Sequence, residues 1–483
     1  MKKDNYTMLF DFYEMTMANG YFHTDYKDTI SYFDVFFRSI PDQGGYAICA
    51  GLESIVNYIL NLKFTKEDID YLRSKNCFQE DFLKYLETFK FTGDIWCAKE
   101  GSIIFPGEPI LTVRANTIEA QLLETYILLC LNHQSLITTK SKRIVLAAQG
   151  KAVMEFGSRR AQGESAAITG ARCAYIAGAV GTACTIADEW YGVNALGTMA
   201  HSWVQMFDSE YEAFLEYCRQ YPNNATLLVD TYNVIKSGVP NAIKAFKEVL
   251  WPLGIKKCAI RIDSGDITYL SKKARKLLDD AGCYDCKICV SNSLDEHLIK
   301  DLLDQGAPID SFGVGERLIT SKSEPVFGGV YKLVALERNG QIIPKIKISE
   351  NEAKITNPGY KKVYRFYSKE TNKALADVIA LHHEKIDVQK PYVIFDPVQT
   401  WKTKELTDYY VKEVLVPVFL NGKLVYELPS IEEIKKYCEE ECNSLWDENM
   451  RFKNPNKYYV DLSQELWDLK NKMLTEHFVN AKK

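Results

Sequence analysis

No stretch of the 483-residue chain is both apolar and long enough to cross a bilayer. The weakly apolar run 173–187 is broken by Gly and Thr and falls short of the roughly 20 residues a spanning helix needs, so no membrane partner is expected. No secretory signal is expected either, because Lys2 and Lys3 are followed by Asp4, Asp11 and Glu14 rather than by an uncharged segment. Positive charge is not in excess. A net charge of -5 and a pI near 5.9 argue against a broad basic surface for nucleic acid, while a local phosphate pocket needs only a few cations. The 13 cysteines are odd in number and lack the spacing of a disulfide framework. That pattern predicts mostly buried free thiols in a reducing, cytoplasmic setting. Cys283, Cys286 and Cys289 form C-x2-C-x2-C without a fourth ligand, and Cys438 and Cys442 lie one helical turn apart without a matching pair. No protein-bound metal is predicted at either place.

What is present is ordinary globular composition, with 46% apolar, 25% charged and 12% aromatic residues. A chain of this length divides into about two or three domains. Residues 1–150 mix helix and strand, with helices expected at 10–18, stopping at Gly20, and at 52–62, 78–89 and 118–131; strand is expected at 30–38. Between 151 and 330 short apolar segments at 153–156, 193–196, 226–229, 259–262, 288–290 and 311–314 alternate with longer helical stretches. Such alternation implies parallel strands joined by crossovers. The expected fold class is therefore α/β: an irregular, incomplete parallel β/α barrel with an N-terminal α+β domain, an open doubly wound sheet being the alternative. Residues 331–483 read as β-rich and then helical, packing on the N-terminal domain, with a hairpin signal at Asn421-Gly422.

Active sites of β/α folds form beyond the C-terminal ends of the strands. Reactive residue types stand there in order: Arg159 and Arg160 in EFGSRRAQG, Thr198 and His201 in GTMAHSW, Asp230 in LLVDTYN, and Arg261, Asp263 and Asp266 in RIDSGD. Asn292 in VSNSLDE and Gly313 and Gly315 in FGVGERL follow. Any single Asp after a strand is more often a helix cap, and a lone Arg more often a surface pair. Their joint placement is what points to a substrate carrying phosphates and a sugar. Arginine forks hold phosphate or carboxylate, carboxylates hold hydroxyls or Mg²⁺, and glycine turns offer backbone N–H groups.

DFYEMTMANGYF, FPGEPIL, EAQLLET, NHQSLITTK, EFGSRRAQG, GTMAHSWVQ, VDTYN, RIDSGD, SFGVGERL and GGVYKLV occur in that order over roughly residues 6–367. Together they resemble the nicotinate phosphoribosyltransferase family. The resemblance implies a type II phosphoribosyltransferase acting as a homodimer with shared active sites. It implies that Tyr13, from the other subunit, and Phe156 sandwich nicotinate, with Thr198 and Arg261 contacting it. It places the phosphoribosyl pyrophosphate on Arg159, Asp263, Asn292, Gly313, Gly315 and Thr356, and makes His201 the histidine phosphorylated by ATP. Tyr13 and Phe156 read on residue type alone would be core aromatics, Thr198 a helix cap and His201 a hydrogen-bonded core histidine.

The reaction implied is an ATP-coupled, ligase-type synthesis of nicotinate mononucleotide with Mg²⁺ carried by the substrate, the carboxylates Asp263 and Asp230 assisting. The turn around Thr182 and Ala183 lacks the acid that the related nicotinamide enzymes carry, which favours nicotinate over nicotinamide. A nicotinamide or quinolinate enzyme and a non-catalytic metabolite-binding homologue are the alternatives, and substrate competition separates them.

Overall fold

A computed structural model describes residues 5–351 and 354–480. They form two compact units, one made of residues 1–136 and 326–483 and the other of residues 137–325. The boundary falls inside a 24-residue helix, Glu124–Ala147.

The first unit is built on a seven-stranded antiparallel sheet. Its order is Gln341–Pro344, Val330–Arg338, Ile30–Phe36, Leu111–Asn116, Asp94–Ala98, Leu415–Leu420 and Lys423–Leu424. The three N-terminal strands form its centre and pairs of later strands flank them on both sides, so neither end of the sequence could complete the sheet alone. Phe33, Phe37, Ile95, Leu111 and Val113 pack with Ile55, Val56 and Leu86 of the covering helices into one core. The core also encloses charge: Lys361 is paired with Asp34 at 2.8 Å, both buried. The last two strands turn at Asn421-Gly422, whose φ angles of 49° and 72° suit a tight hairpin. A four-stranded sheet completes the unit in the order Tyr409–Glu413, Lys361–Ser368, Ala374–Leu381 and Val460–Leu462.

Two helices of this unit depart from expectation. The first runs Phe12–Phe22, through Gly20 rather than stopping there. The residues 118–131 form a short helix, Thr117–Gln121, and the start of the long one.

The second unit holds a six-stranded sheet with every pairing parallel. Its order is Gly181–Thr182, Ala152–Glu155, Ser311–Val314, Lys287–Ser291, Ala259–Ile262 and Thr226–Leu228. Each strand pairs with its sequence neighbour, and the last of them pairs with the first. No ladder among the described residues joins Gly181–Thr182 to Thr226–Leu228. Helices follow the strands, including Glu164–Ile176, Ile267–Asp280 and Glu296–Asp304. The buried Val153, Leu227, Ile260, Ile288, Val290 and Phe312 fill the interior.

The strand expected at 193–196 does not form. Gly192, at φ 73°, ends the preceding helix Thr185–Tyr191, and Asp188 takes the Ala195 N–H. Only one isolated bridge, Thr182 to Ala195, remains of it. Gly181–Thr182 supplies the second strand instead.

Candidate active site

Because all six strands run the same way, their C-terminal ends share one edge of the sheet, where side chains from successive loops converge. Phe156 follows Ala152–Glu155 directly. Its N–H bonds the Val314 carbonyl at 2.7 Å, and its ring lies on Gly313, where an added Cβ would come within 2.6 Å of the ring. Gly315 is nearly as close: its Cβ would stand 3.0 Å from the Phe156 carbonyl oxygen. Both glycines thus make room for the Phe156 segment. Arg159 sits on the next turn, Ser158–Arg160, and is exposed.

The third and fourth loops meet around His201. Its Nδ1 lies 3.1 Å from the Thr231 hydroxyl, and its Nε2 stands 4.0 Å from Asp230 and 3.9 Å from Asp263. Asp230 is almost wholly buried. Its Oδ2 accepts the Asp263 N–H at 3.1 Å and the Ser264 hydroxyl at 2.6 Å, whereas Oδ1 has no hydrogen-bond partner among the described residues. Ser291 donates to Asp263 Oδ1. Two carboxylates are thereby fixed on either side of one imidazole nitrogen.

Arg261 reaches from the same strand as Asp263. Its Nη2 donates to the Met199 carbonyl at 3.0 Å, and its Nε is buried with no partner among the described residues. Leaving a guanidinium donor buried and unmatched is costly, so the group is poised for an anion. Thr198, one residue before Met199, is half-buried on the same loop. Asn292 and Ser293 both adopt left-handed backbone, at φ 89° and 51°. Such strain in an exposed loop after a strand is a feature of ligand-binding turns.

The structure therefore brings Phe156, Arg159, Thr198, His201, Asp230, Arg261, Asp263, Asn292, Gly313 and Gly315 to one edge of one sheet. Tyr13 and Thr356 belong to the first unit. Tyr13 is 45% exposed on Phe12–Phe22, beside the exposed Phe12, and partial burial with the nearby Glu124 raises its hydroxyl pKa. Thr356 is buried, its hydroxyl accepting the Lys347 N–H at 2.9 Å. Asp266 caps Ile267–Asp280 by accepting the Tyr269 N–H at 3.0 Å, which is the structural role open to any Asp after a strand.

Four supporting side chains went unassigned by sequence reasoning. Thr231, Ser264 and Ser291 stand one residue from a named candidate, and small hydroxyls beside reactive residues were the available signal. Glu155 had none, because it reads as the last residue of a strand. Of the cysteines, twelve are buried and Cys77 is exposed. Among the described residues, no group of three or more His, Cys, Asp or Glu side chains is arranged to hold a metal ion, and no helix is long and apolar enough to cross a membrane.

Comparison with known proteins adds an independent line. Residues 8–132 match the family model described as nicotinate phosphoribosyltransferase N-terminal domain, and residues 360–470 match the C-terminal domain of the same family. A nicotinate phosphoribosyltransferase of Bacillus subtilis is 42% identical over 481 residues, covering 100% of this chain and 97% of the relative. A human counterpart is 28% identical, with 96% of each chain covered. Among solved structures, human nicotinic acid phosphoribosyltransferase superposes with a TM-score of 0.83 at 26% identity, covering 96% of this chain and 100% of that one. A nicotinate-nucleotide pyrophosphorylase from Pyrococcus furiosus gives 0.69 at 24% identity over 92% and 97%, a likeness of fold alone.

Proposed function

The chain belongs to the nicotinate phosphoribosyltransferase family, and from that premise we propose that it joins nicotinate to 5-phosphoribosyl 1-pyrophosphate in NAD biosynthesis, coupled to ATP through a phosphohistidine at His201. The observation that carries the reading is the placement of His201 Nε2 between Asp230 and Asp263, beside an arginine with an unmatched buried donor. The parallel sheet is read as a barrel opened at one seam, because its cyclic strand order is interrupted only between Gly181–Thr182 and Thr226–Leu228.

On this reading Arg261 receives the nicotinate carboxylate. Phe156 forms one face of the ring's slot and Thr198 its edge, and Tyr13 of a second copy in a homodimer forms the other face. Arg159, Asn292 and the backbone at Gly313 and Gly315 hold the donor. The lone pair of the ring nitrogen forms the new bond to C1′ of the ribose. The C1′–oxygen bond breaks, and pyrophosphate leaves with its electrons. The ring nitrogen carries no proton to remove, so no general base is required. Catalysis is positioning together with stabilisation of the cationic ribosyl centre by Asp263 and Asp230. Magnesium carried by the pyrophosphate would supply charge neutralisation there, and Asp230 Oδ1 and Asp263 are the side chains that would face it.

Phosphorylation of His201 needs one ring nitrogen free to attack the γ-phosphorus, and the Thr231 hydroxyl, 3.1 Å from Nδ1, helps to fix the orientation of the ring. Incubation with labelled ATP and Mg²⁺ is expected to give an acid-labile, base-stable protein phosphate. His201→Ala should lose both the label and the stimulation of product formation by ATP. Persistence of either in the variant refutes the assignment.

A further inference from the structure

Glu155 is a fully buried carboxyl to which the reaction gives no role. It ends the strand Ala152–Glu155, and its two oxygens accept from two different loops. Oε1 takes the Gly157 backbone N–H, while Oε2 takes the Thr182 hydroxyl at 2.6 Å. The same Thr182 oxygen accepts the Cys184 N–H at 2.9 Å, and the Glu155 carbonyl accepts the Ala183 N–H at 2.8 Å. The turn after the first strand is thus fastened to the turn after its neighbour. Burial pushes the Glu155 carboxyl above its ordinary range, and the two hydrogen bonds oppose that shift. An ionisable group in such a place is costly unless its bonds matter.

Those bonds govern the turn that follows. Gly157 has no freedom of packing, since a Cβ there would lie 2.6 Å from Ile319 and 2.8 Å from Glu155 itself. Its carbonyl accepts the Arg160 N–H at 2.7 Å, which closes the turn Ser158–Arg160. The Phe156–Gly157 peptide held by Glu155 leads directly into the Gly157–Ser158 peptide that closes this turn, so fixing the first fixes the start of the segment that carries Arg159. Phe156 is less dependent on it, because the Val314 carbonyl and Gly313 hold that residue separately.

We propose that Glu155 is a positioning residue that sets the turn carrying Arg159 and, through it, affinity for the phosphoribosyl donor. The proposal rests on the reading of Arg159 as a donor contact. A glutamine can present an acceptor to only one of the two donors. Glu155→Gln should therefore raise the donor KM about tenfold, leaving that of nicotinate within about twofold. In an Arg159→Ala background the same substitution should add nothing, because the group it positions is gone.

Equal rises in both KM values, or an undiminished rise in the Arg159→Ala background, would overturn the proposal. Thr182→Val removes one donor from the other side and should raise the donor KM about threefold, with the same collapse beside Arg159→Ala. No change in that variant also counts against the tie. If Arg159→Ala shifts the donor KM while the Glu155 and Thr182 variants do not, only this inference fails. If Arg159→Ala leaves the donor KM unchanged, the donor role of Arg159 fails and the inference with it.

Discussion

On the proposed assignment, Arg261 is the residue on which substrate selection turns. Its Nε is buried without a partner among the described residues, so binding an anionic ring substituent removes an existing penalty as well as adding an attraction. Arg261→Ala should lower kcat/KM for nicotinate by about 2–4 kcal/mol, roughly thirtyfold to a thousandfold. Donor KM should change far less, and steady-state kinetics with each substrate varied in turn checks this. Equal losses for the two substrates would remove the assignment. At this scale the sequence was informative wherever a reactive side chain followed an apolar strand, because a parallel sheet delivers such positions to one edge. It was silent on Glu155, whose role depends on hydrogen bonds to Gly157 and Thr182 that only the folded loops create.

Among the elements, the helix Phe12–Phe22 carries both Tyr13 and a buried acid. Glu14 accepts from Thr125 and, at 3.4 Å, from the Asp11 N–H, and burial pushes its carboxyl up from the ordinary 4.5 to about 7. The folded state therefore keeps a proton that the unfolded chain has already released between those values. Stability should fall as pH rises from about 4.5 through about 7. Asp461, pushed up to about 6 by burial, acts in the same direction, so the informative quantity is the difference between variant and wild type. Glu14→Gln keeps an acceptor for Asp11 and should be more stable than wild type by about 1–2 kcal/mol at pH 8. The gap should close as pH falls toward 4.5, and denaturant unfolding across that range measures it. A gap independent of pH would mean that Glu14 is not the titrating group.

The same scale shows where local pattern misleads. Gly20 did not end its helix, since a glycine inside a helix costs only about 1 kcal/mol. The apolar run 193–196 looked like a strand but is held by a single bridge, its geometry set by Gly192 and Asp188. The Asn421-Gly422 turn was legible because its chemistry is local: both residues adopt positive φ readily.

In the molecule as a whole, the alternation of strands and helices between 151 and 330 conveyed a parallel sheet, because period and spacing are written into the sequence. The antiparallel sheet of the first unit was not legible in the same way. Ile30–Phe36 pairs with Val330–Arg338 across about three hundred intervening residues, and nothing in either segment names its partner. Family likeness carries the activity further than geometry does, and on the proposed assignment Ala183 and Arg261 together favour the acid over the amide as the ring substrate. The direct measurement is product formation by the purified protein with 5-phosphoribosyl 1-pyrophosphate, Mg²⁺ and ATP, with nicotinate and nicotinamide assayed side by side. Nicotinate is expected to give nicotinate mononucleotide and pyrophosphate in equal amounts, and nicotinamide little or no product. Turnover of nicotinamide at an equal or higher rate, or no product from either ring, would contradict the proposed activity.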